Sequence, residues 1–353
     1  MKKIFQISLF VLLIVFTACK NDIVFNGSEQ QEMLVLNSML SPDSVVKVHL
    51  TRSKFFLAEG NRFDTITNAN VNLYVNDVWK EQLHYTGDGA FSGAYLPKAN
   101  DVLRITATSA GLEPVQSVVK MVNAPDLLLL DTVFKNTEIS PLLQYNFDPL
   151  TGKSIIDTVG KNYHRNLDYR IRFTDNPLTK NFYRIAFMFK TTFTNGEFAQ
   201  TGLIVDIDDM VFNDHKQRDP LDDHYQLLPF LEFSDVLING KTYEIKSKFS
   251  YYYSVLNPEI SKVPSKKAKS FLIIDKQEVT VELHEISESM YLYLRSKTAE
   301  SQNGGYFAEP VQIYTNIENG IGILGAYNKQ AKTFVLPKGV TYGDNFYGGY
   351  GTW

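Results

Sequence analysis

Cysteine is almost missing from this sequence: Cys19 is the only one in 353 residues. Beyond that position the chain can hold neither an internal disulfide nor a thiolate metal cluster, so ordinary packing must stabilise it. A basic excess is missing too. With 35 Lys and Arg against 39 Asp and Glu the formal charge is -4, which excludes a surface coated for nucleic acid. No stretch is long enough to span a bilayer, because Ile4–Ala18 has only 15 residues and includes Gln6 and Ser8, whereas a span needs roughly 20 apolar residues. There is no internal repeat and no Gly-x-Ser-x-Gly elbow, and a mature chain beginning at Cys19 keeps no free thiol for nucleophilic attack. Tryptophan is scarce at 2, but 24 Phe and 20 Tyr can fill β-rich cores, and 44% hydrophobic content marks a globular chain.

What is present begins with an address. Lys2 and Lys3 precede the unbroken apolar run Leu9–Phe16, which ends in Thr17-Ala18 before Cys19. A positive start, a short apolar core and small residues at its end make a secretory signal. Phe16-Thr17-Ala18-Cys19 resembles the bacterial lipobox, with Phe16 in place of the usual Leu. Residues 1–18 are therefore expected to be removed and Cys19 to carry diacylglycerol and palmitate-type chains; several acyl chains hold a protein on a membrane far more firmly than one. Residues 19–31, polar and carrying Asn21, Asp22, Asn26, Gly27 and Ser28, read as a flexible tether.

The rest reads as β. Val46, Val48 and Leu50 alternate with Lys47, His49 and Thr51, and Val71, Leu73 and Val75 with Asn72, Tyr74 and Asn76, so each strand has one buried and one wet face. Thr86-Gly87-Asp88-Gly89 is a turn between Leu83-His84-Tyr85 and Ala90-Phe91, and runs follow at Val102–Ala107 and Val115–Val122. About seven short strands in roughly 90 residues predict an immunoglobulin-like or transthyretin-like sandwich over 32–124, closed by Asn123-Ala124-Pro125. A second β-rich domain is expected over 125–353, with strands at Tyr169–Thr174, Phe182–Thr194, Thr242–Tyr253 and Phe271–Leu283. Ser140–Arg165, with proline, glycine and no steady period, reads as a long loop or hairpin insertion. Ser287 is a plausible N-cap for one helix that presents Met290, Tyr291, Leu292 and Leu294 and stops at Asn303-Gly304-Gly305.

Several motifs imitate chemistry. Gly320-Ile321-Gly322-Ile323-Leu324-Gly325 matches the dinucleotide fingerprint after an expected strand, Val311–Asn316. That fingerprint works only when its last glycine opens a helix whose amides meet the pyrophosphate. Here Lys332–Leu336 continues as strand, so glycines that let aromatic neighbours approach closely explain the letters better, and no cofactor is expected. His284-Glu285-Ile286-Ser287-Glu288 resembles the zinc-protease helix, but Glu288 stands where the second histidine belongs; a strand exit and helix cap is the plainer reading. The acidic loop Asp206, Asp208, Asp209, Asp214, Asp219, Asp222 and Asp223 could hold a hard cation such as calcium, yet its spacing fits no calcium loop, and a solvated loop is preferred. His215 and His224 flank that loop. Tyr342, Phe346, Tyr347, Tyr350 and Trp353, interleaved with glycines, suit either a partner-binding patch or a last strand sealing the core.

Phe307-Ala308-Glu309-Pro310 and the run Tyr314–Tyr327 closely resemble the C-terminal signature of the domain of unknown function 4249 family. Ala69-Asn70-Val71, Asn181-Phe182-Tyr183-Arg184-Ile185, Phe233-Ser234-Asp235 with Asn239-Gly240, and Met290–Leu294 fall in the family's order, with Leu324 where Phe is common. The resemblance runs from about Met33 to Tyr327. It implies a Bacteroidota outer-membrane lipoprotein encoded beside a TonB-dependent transporter, and it brings no catalytic residues. Two functions are thus expected to compete: a non-enzymatic binding or lid partner of such a transporter, tethered through Cys19 and facing the cell surface, with Tyr347, Tyr350 and Trp353 as candidate contacts; or a metal-dependent surface hydrolase using Asp206, Asp208 and Asp209 with His215 or His224. The cargo stays open between peptide, glycan, haem and metal chelate.

Overall fold

Period-two burial builds the first half of the chain. The computed structural model describes residues 31–54, 63–148, 152–194, 196, 198–202, 209–215, 230–256, 271–302, 311–336 and 340–342, and the fold they form is mainly β. Strand β1 (Leu34–Leu40) pairs antiparallel with β2 (Lys47–Arg52), which goes on to β5 (Ala90–Ser92). A second layer runs in the order β4 (Val78–Gly87), β3 (Ala69–Val75), β6 (Val102–Ser109) and β7 (Val115–Lys120). Leu34, Leu36, Val48 and Leu50 from the first layer meet Val71, Leu73, Leu103 and Ile105 from the second, all fully buried. The expected sandwich results. Asn76 and Asp77, at φ 51° and 64°, form the two-residue turn between β3 and β4, where a type I′ hairpin needs positive φ at both positions.

A distant strand completes this sandwich. The free side of β1 takes β15 (Ile321–Leu336) in parallel, from Val35↔Ile321 to Leu40↔Ala326. From Tyr327 onward β15 instead pairs antiparallel with β14 (Phe271–Ile286). One strand therefore serves two cores. Both lie within a single compact unit, Met33–Ser53 with Arg62–Trp353.

In the second core β14 pairs β10 (Phe182–Phe193), which extends to β11 (Phe198–Gly202) and β12 (Phe230–Ser234). Against them stand β8 (Asp126–Asp148), β9 (Lys153–Thr174) and β13 (Thr242–Leu256), with β16 (Val340–Tyr342) paired to both β13 and β14. Aromatic rings fill the space between. Phe173 and Tyr183 have centroids 5.0 Å apart, Tyr183 and Phe233 5.4 Å, and Tyr169 and Phe187 5.7 Å, within the range where ring pairs add to simple burial.

Ser140–Arg165 belongs to the β8–β9 hairpin, and Pro141 is tolerated because β8 is an edge strand. The expected strand at Val311–Asn316 is not one: it has no ladder, and Glu318 makes only an isolated bridge to Gln116. Side chains take its ladder groups instead, since the Tyr314 N–H donates to Ser296 Oγ at 2.9 Å and the Asn316 carbonyl accepts from Ser117 Oγ at 2.8 Å. Helix α1 (Glu288–Gln302) begins where its cap predicts, with the Met290 N–H donating to Ser287 Oγ at 3.3 Å. Met290 packs with Phe182 and Ile286, and Tyr291, Leu294 and Tyr327 close around them. No helix among the described residues is long and apolar enough to cross a membrane.

Candidate functional site

Side chains alternate along β14, so its last residues put different chemistry on its two faces. On the face of Val281 and Leu283, Glu285 ends the apolar row. Its carboxylate accepts from Asn181 Nδ2 at 3.1 Å and from the Asn123 N–H. Burial above all, together with the charge of Asp175, pushes the Glu285 carboxyl up to about 7 in spite of those two bonds. Asn181 is itself held by Asp235: the Asn181 N–H donates to Asp235 Oδ2 at 2.7 Å and the Asp235 N–H returns to the Asn181 carbonyl at 3.1 Å. Asp175 takes the Tyr183 hydroxyl at 2.7 Å and the Gly240 N–H at 2.8 Å. Burial lifts the Asp175 carboxyl, and burial with that bond lifts the Tyr183 phenol.

Of these groups Asn181 and Glu285 wall one side of an open cleft of about 440 Å³, with Asp235 holding Asn181 from behind. Val118–Asn123 form a second side, Glu288, Ser289 and Leu292 of α1 a third, and Tyr314 and Asn316 complete the lining. Motif segments far apart in sequence meet here: Asn181, braced by Asp235, Leu292 of α1, and Asn316 from the C-terminal signature all line the cleft. Glu285 can accept a hydrogen bond at the cleft wall or, protonated near neutral pH, donate one.

The other face of β14 carries charge in rows. Register places Glu232 beside Arg184, Arg184 beside His284 and His284 beside Lys329, across β12, β10, β14 and β15. Glu282 binds this row together, accepting from His284 Nε2 at 2.8 Å and Lys329 Nζ at 2.6 Å. The bond from His284, with that from Lys329, holds the Glu282 carboxyl at about 2 against its burial. Burial lowers the His284 imidazole below its ordinary value, so at neutral pH it is uncharged and its Nε2–H donates. For Lys329 burial acts downward, but the Glu282 bond and charge win and raise the ammonium. Tyr327 stacks on His284 with centroids 5.3 Å apart.

Of the sequence-derived candidates, Cys19, Asp206, Asp208, His224, Tyr347, Tyr350 and Trp353 lie outside the described residues. Asp209 is described and has a local role: its Oδ1 accepts the Tyr243 hydroxyl at 2.7 Å and the Val211 N–H at 3.1 Å, at the entry to a 3₁₀ turn, Met210–His215. Among the described residues no group of three His, Cys, Asp or Glu side chains could hold a metal ion. Gly320–Gly325 enters strand β15 with no helix behind it. Aromatic neighbours were expected at these glycines, but the close ones are the backbone of β1 and aliphatic side chains: a Cβ on Gly320 would meet the Leu34 carbonyl oxygen, Val115 and Ile317, one on Gly322 would collide with the Leu36 carbonyl oxygen, and one on Gly325 would lie 2.9 Å from Met39 Sδ and 3.1 Å from Met290 Cβ. His284–Glu288 is a strand exit and cap. Sequence reasoning missed Glu285 as a cleft residue, although Asn181 and Asp235 stood in the motif segments that meet it.

No curated protein sequence matches the chain. Among solved structures, a protein from Corynebacterium diphtheriae described as membrane anchored is similar at 10% identity with a TM-score of 0.18, over 75% of this chain and 56% of that one. The chain thus spans little more than half the length of that protein, and a likeness so weak leaves fold and function to this chain's own residues. The family described as domain of unknown function DUF4249 matches residues 20–333. With nearly the whole sequence covered by that match, the chain belongs to the DUF4249 family.

Proposed function

We propose that this protein is a lipid-tethered, non-enzymatic binding protein of the outer membrane, facing the cell surface and acting with a TonB-dependent transporter in nutrient uptake. The cleft carries the reading: a recess with converging polar groups on a rigid β scaffold is where a binding protein holds its cargo. The polar groups of its Glu285 wall are braced by one another, which suits a preformed site. The leader and Cys19 support the tether, and residues 19–31 give it reach; two proteins confined to one membrane meet at high effective concentration, so a modest interface suffices. Pairing with a transporter is supported by the family resemblance.

Two measurements test this. Cys19→Ala is expected to move the protein out of the membrane fraction; unchanged partitioning defeats the tether. A tagged chain extracted from outer membranes in mild detergent is expected to bring a TonB-dependent transporter with it. Its absence above background, with uptake by the neighbouring transporter unaffected by deletion, defeats the partnership.

A further inference from the structure

The cleft has an unusual wall, because one side of it is the open edge of a sheet. Among the described residues strand β7 has a ladder only with β6, in the register Val119↔Leu103 and Val118↔Arg104, besides a single bridge from Gln116 to Glu318. The Met121 N–H donates to the Asp101 carbonyl at 2.8 Å, so Met121, Val119 and Ser117 direct their backbone groups toward β6. Gln116, Val118 and Lys120 direct theirs away. At Gln116 the outward carbonyl is satisfied, since the Glu318 N–H donates to it at 2.9 Å, and Ser117 Oγ donates to the Asn316 carbonyl at 2.8 Å. From there the segment toward Tyr314 leaves the edge, its own amide held by Ser296. Among the described residues nothing takes the outward N–H and C=O of Val118 or Lys120, and the cleft lies at that point.

We propose that the cleft takes an extended peptide, which adds to β7 as an antiparallel or parallel strand and carries an acidic side chain beside Lys120. This rests on the binding-protein reading above and names its cargo class. A β-strand backbone is the ligand whose donors and acceptors repeat every second residue, as the groups of Val118 and Lys120 do. An unpaired edge of this kind is a template for another strand. Charge selects the side chain: Lys120 is exposed and has no ion-pair partner among the described residues, whereas Lys180 on the opposite rim is neutralised by Glu288 at 2.7 Å. Val118 and Leu292, exposed at 49% and 38%, offer apolar contact to the residues flanking the acid.

The test uses the full chain in detergent and a labelled pentapeptide, Thr-Val-Glu-Val-Thr, read by fluorescence anisotropy. Two further versions carry N-methyl groups, one on the amides of the two Val residues and the other on those of Glu and the last Thr. Strand addition uses one of these sets, so one methylated peptide is expected to lose about tenfold or more in affinity while the other binds as the parent does. Exchanging the peptide's Glu for Lys is expected to weaken binding to the natural chain and to restore it with Lys120→Glu. Lys120→Pro removes an outward N–H without touching the β6 ladder, so it should fold and lose the peptide. No saturable binding, or equal binding of the two methylated peptides, overturns the proposal, and the methylated pair needs no variant to fold. Peptide binding is read on the isolated chain and transporter pairing in membranes, so either can fail while the other stands.

Discussion

Asn316 and Leu324 are joined as if Asn316 were a strand: its Nδ2 donates to the Leu324 carbonyl and its Oδ1 accepts the Leu324 N–H, both at 2.9 Å. One side-chain amide thus satisfies both ladder groups of a fully buried residue. Asn316→Ala leaves the Leu324 N–H unpaired and its carbonyl with Ser289 Oγ alone, at 3.0 Å, and the expected loss is about 2 kcal/mol in urea unfolding, with faster hydrogen exchange at Leu324. Unchanged stability would mean that water replaces the amide at no cost.

Gly322 sits at φ 118° with Leu36 directly over it, whereas Gly111, at φ 77°, has nothing within 4 Å of an added Cβ. Alanine at the two positions separates backbone strain from collision. Gly111→Ala should cost about 1 kcal/mol and Gly322→Ala about 3 kcal/mol or more, since β1 and β15 must move apart. Equal losses would show that the close approach contributes nothing.

Glu285 sets a pH dependence whose sign follows from its raised carboxyl. Its unfolded value lies near 4.5 and its folded value at about 7, so the stability it contributes is complete below the unfolded value and disappears as pH rises toward and through 7. Relative to the natural chain, Glu285→Gln should therefore gain about 1–3 kcal/mol between pH 5 and pH 8, measured as the difference between two urea series. A difference that stays flat with pH contradicts the assignment.

Glu282 behaves in the opposite sense. Held at about 2 by His284 and Lys329, it contributes stability above its unfolded value that is lost as pH falls from about 4.5 toward 2. Glu282→Ala removes the partner of a half-buried ammonium, and a loss of about 1–2 kcal/mol at pH 7 is expected. In a double-mutant cycle with Lys329→Met the two changes should be non-additive by about 1 kcal/mol; simple additivity would deny the coupling.

The sandwich strands were legible because Val46–Thr51 and Val71–Asn76 alternate cleanly, and a half-buried strand leaves that trace in sequence. Ser287 was legible for a similar reason, as a cap is a local event. Partnership is not local. Nothing in the alternation of Leu34, Leu36 and Leu40 names Ile321–Ala326 as its neighbour, so the parallel seam between β1 and β15 could not be read. The cleft was hidden by dispersal: Asn181 and Glu285 each look like the polar end of an apolar segment, and only the fold makes them a wall, with Asp235 behind Asn181. At Gly322 the need for close approach was readable, but the neighbour was not, because a backbone carbonyl has no letter.

The parallel seam also sets a timetable. Synthesis delivers β1 near the start of the chain and β15 near its end, so the sheet begun by the first strand waits for almost the last one. Until then Leu34–Leu40 presents an unpaired edge, and contacts so distant in sequence form slowly. During that interval the open edge is exposed to wrong partners, a hazard that grows with the sequence distance between paired strands. A chain cut before Ile321 would lose that seam along with its C-terminus, leaving two cores without their shared strand.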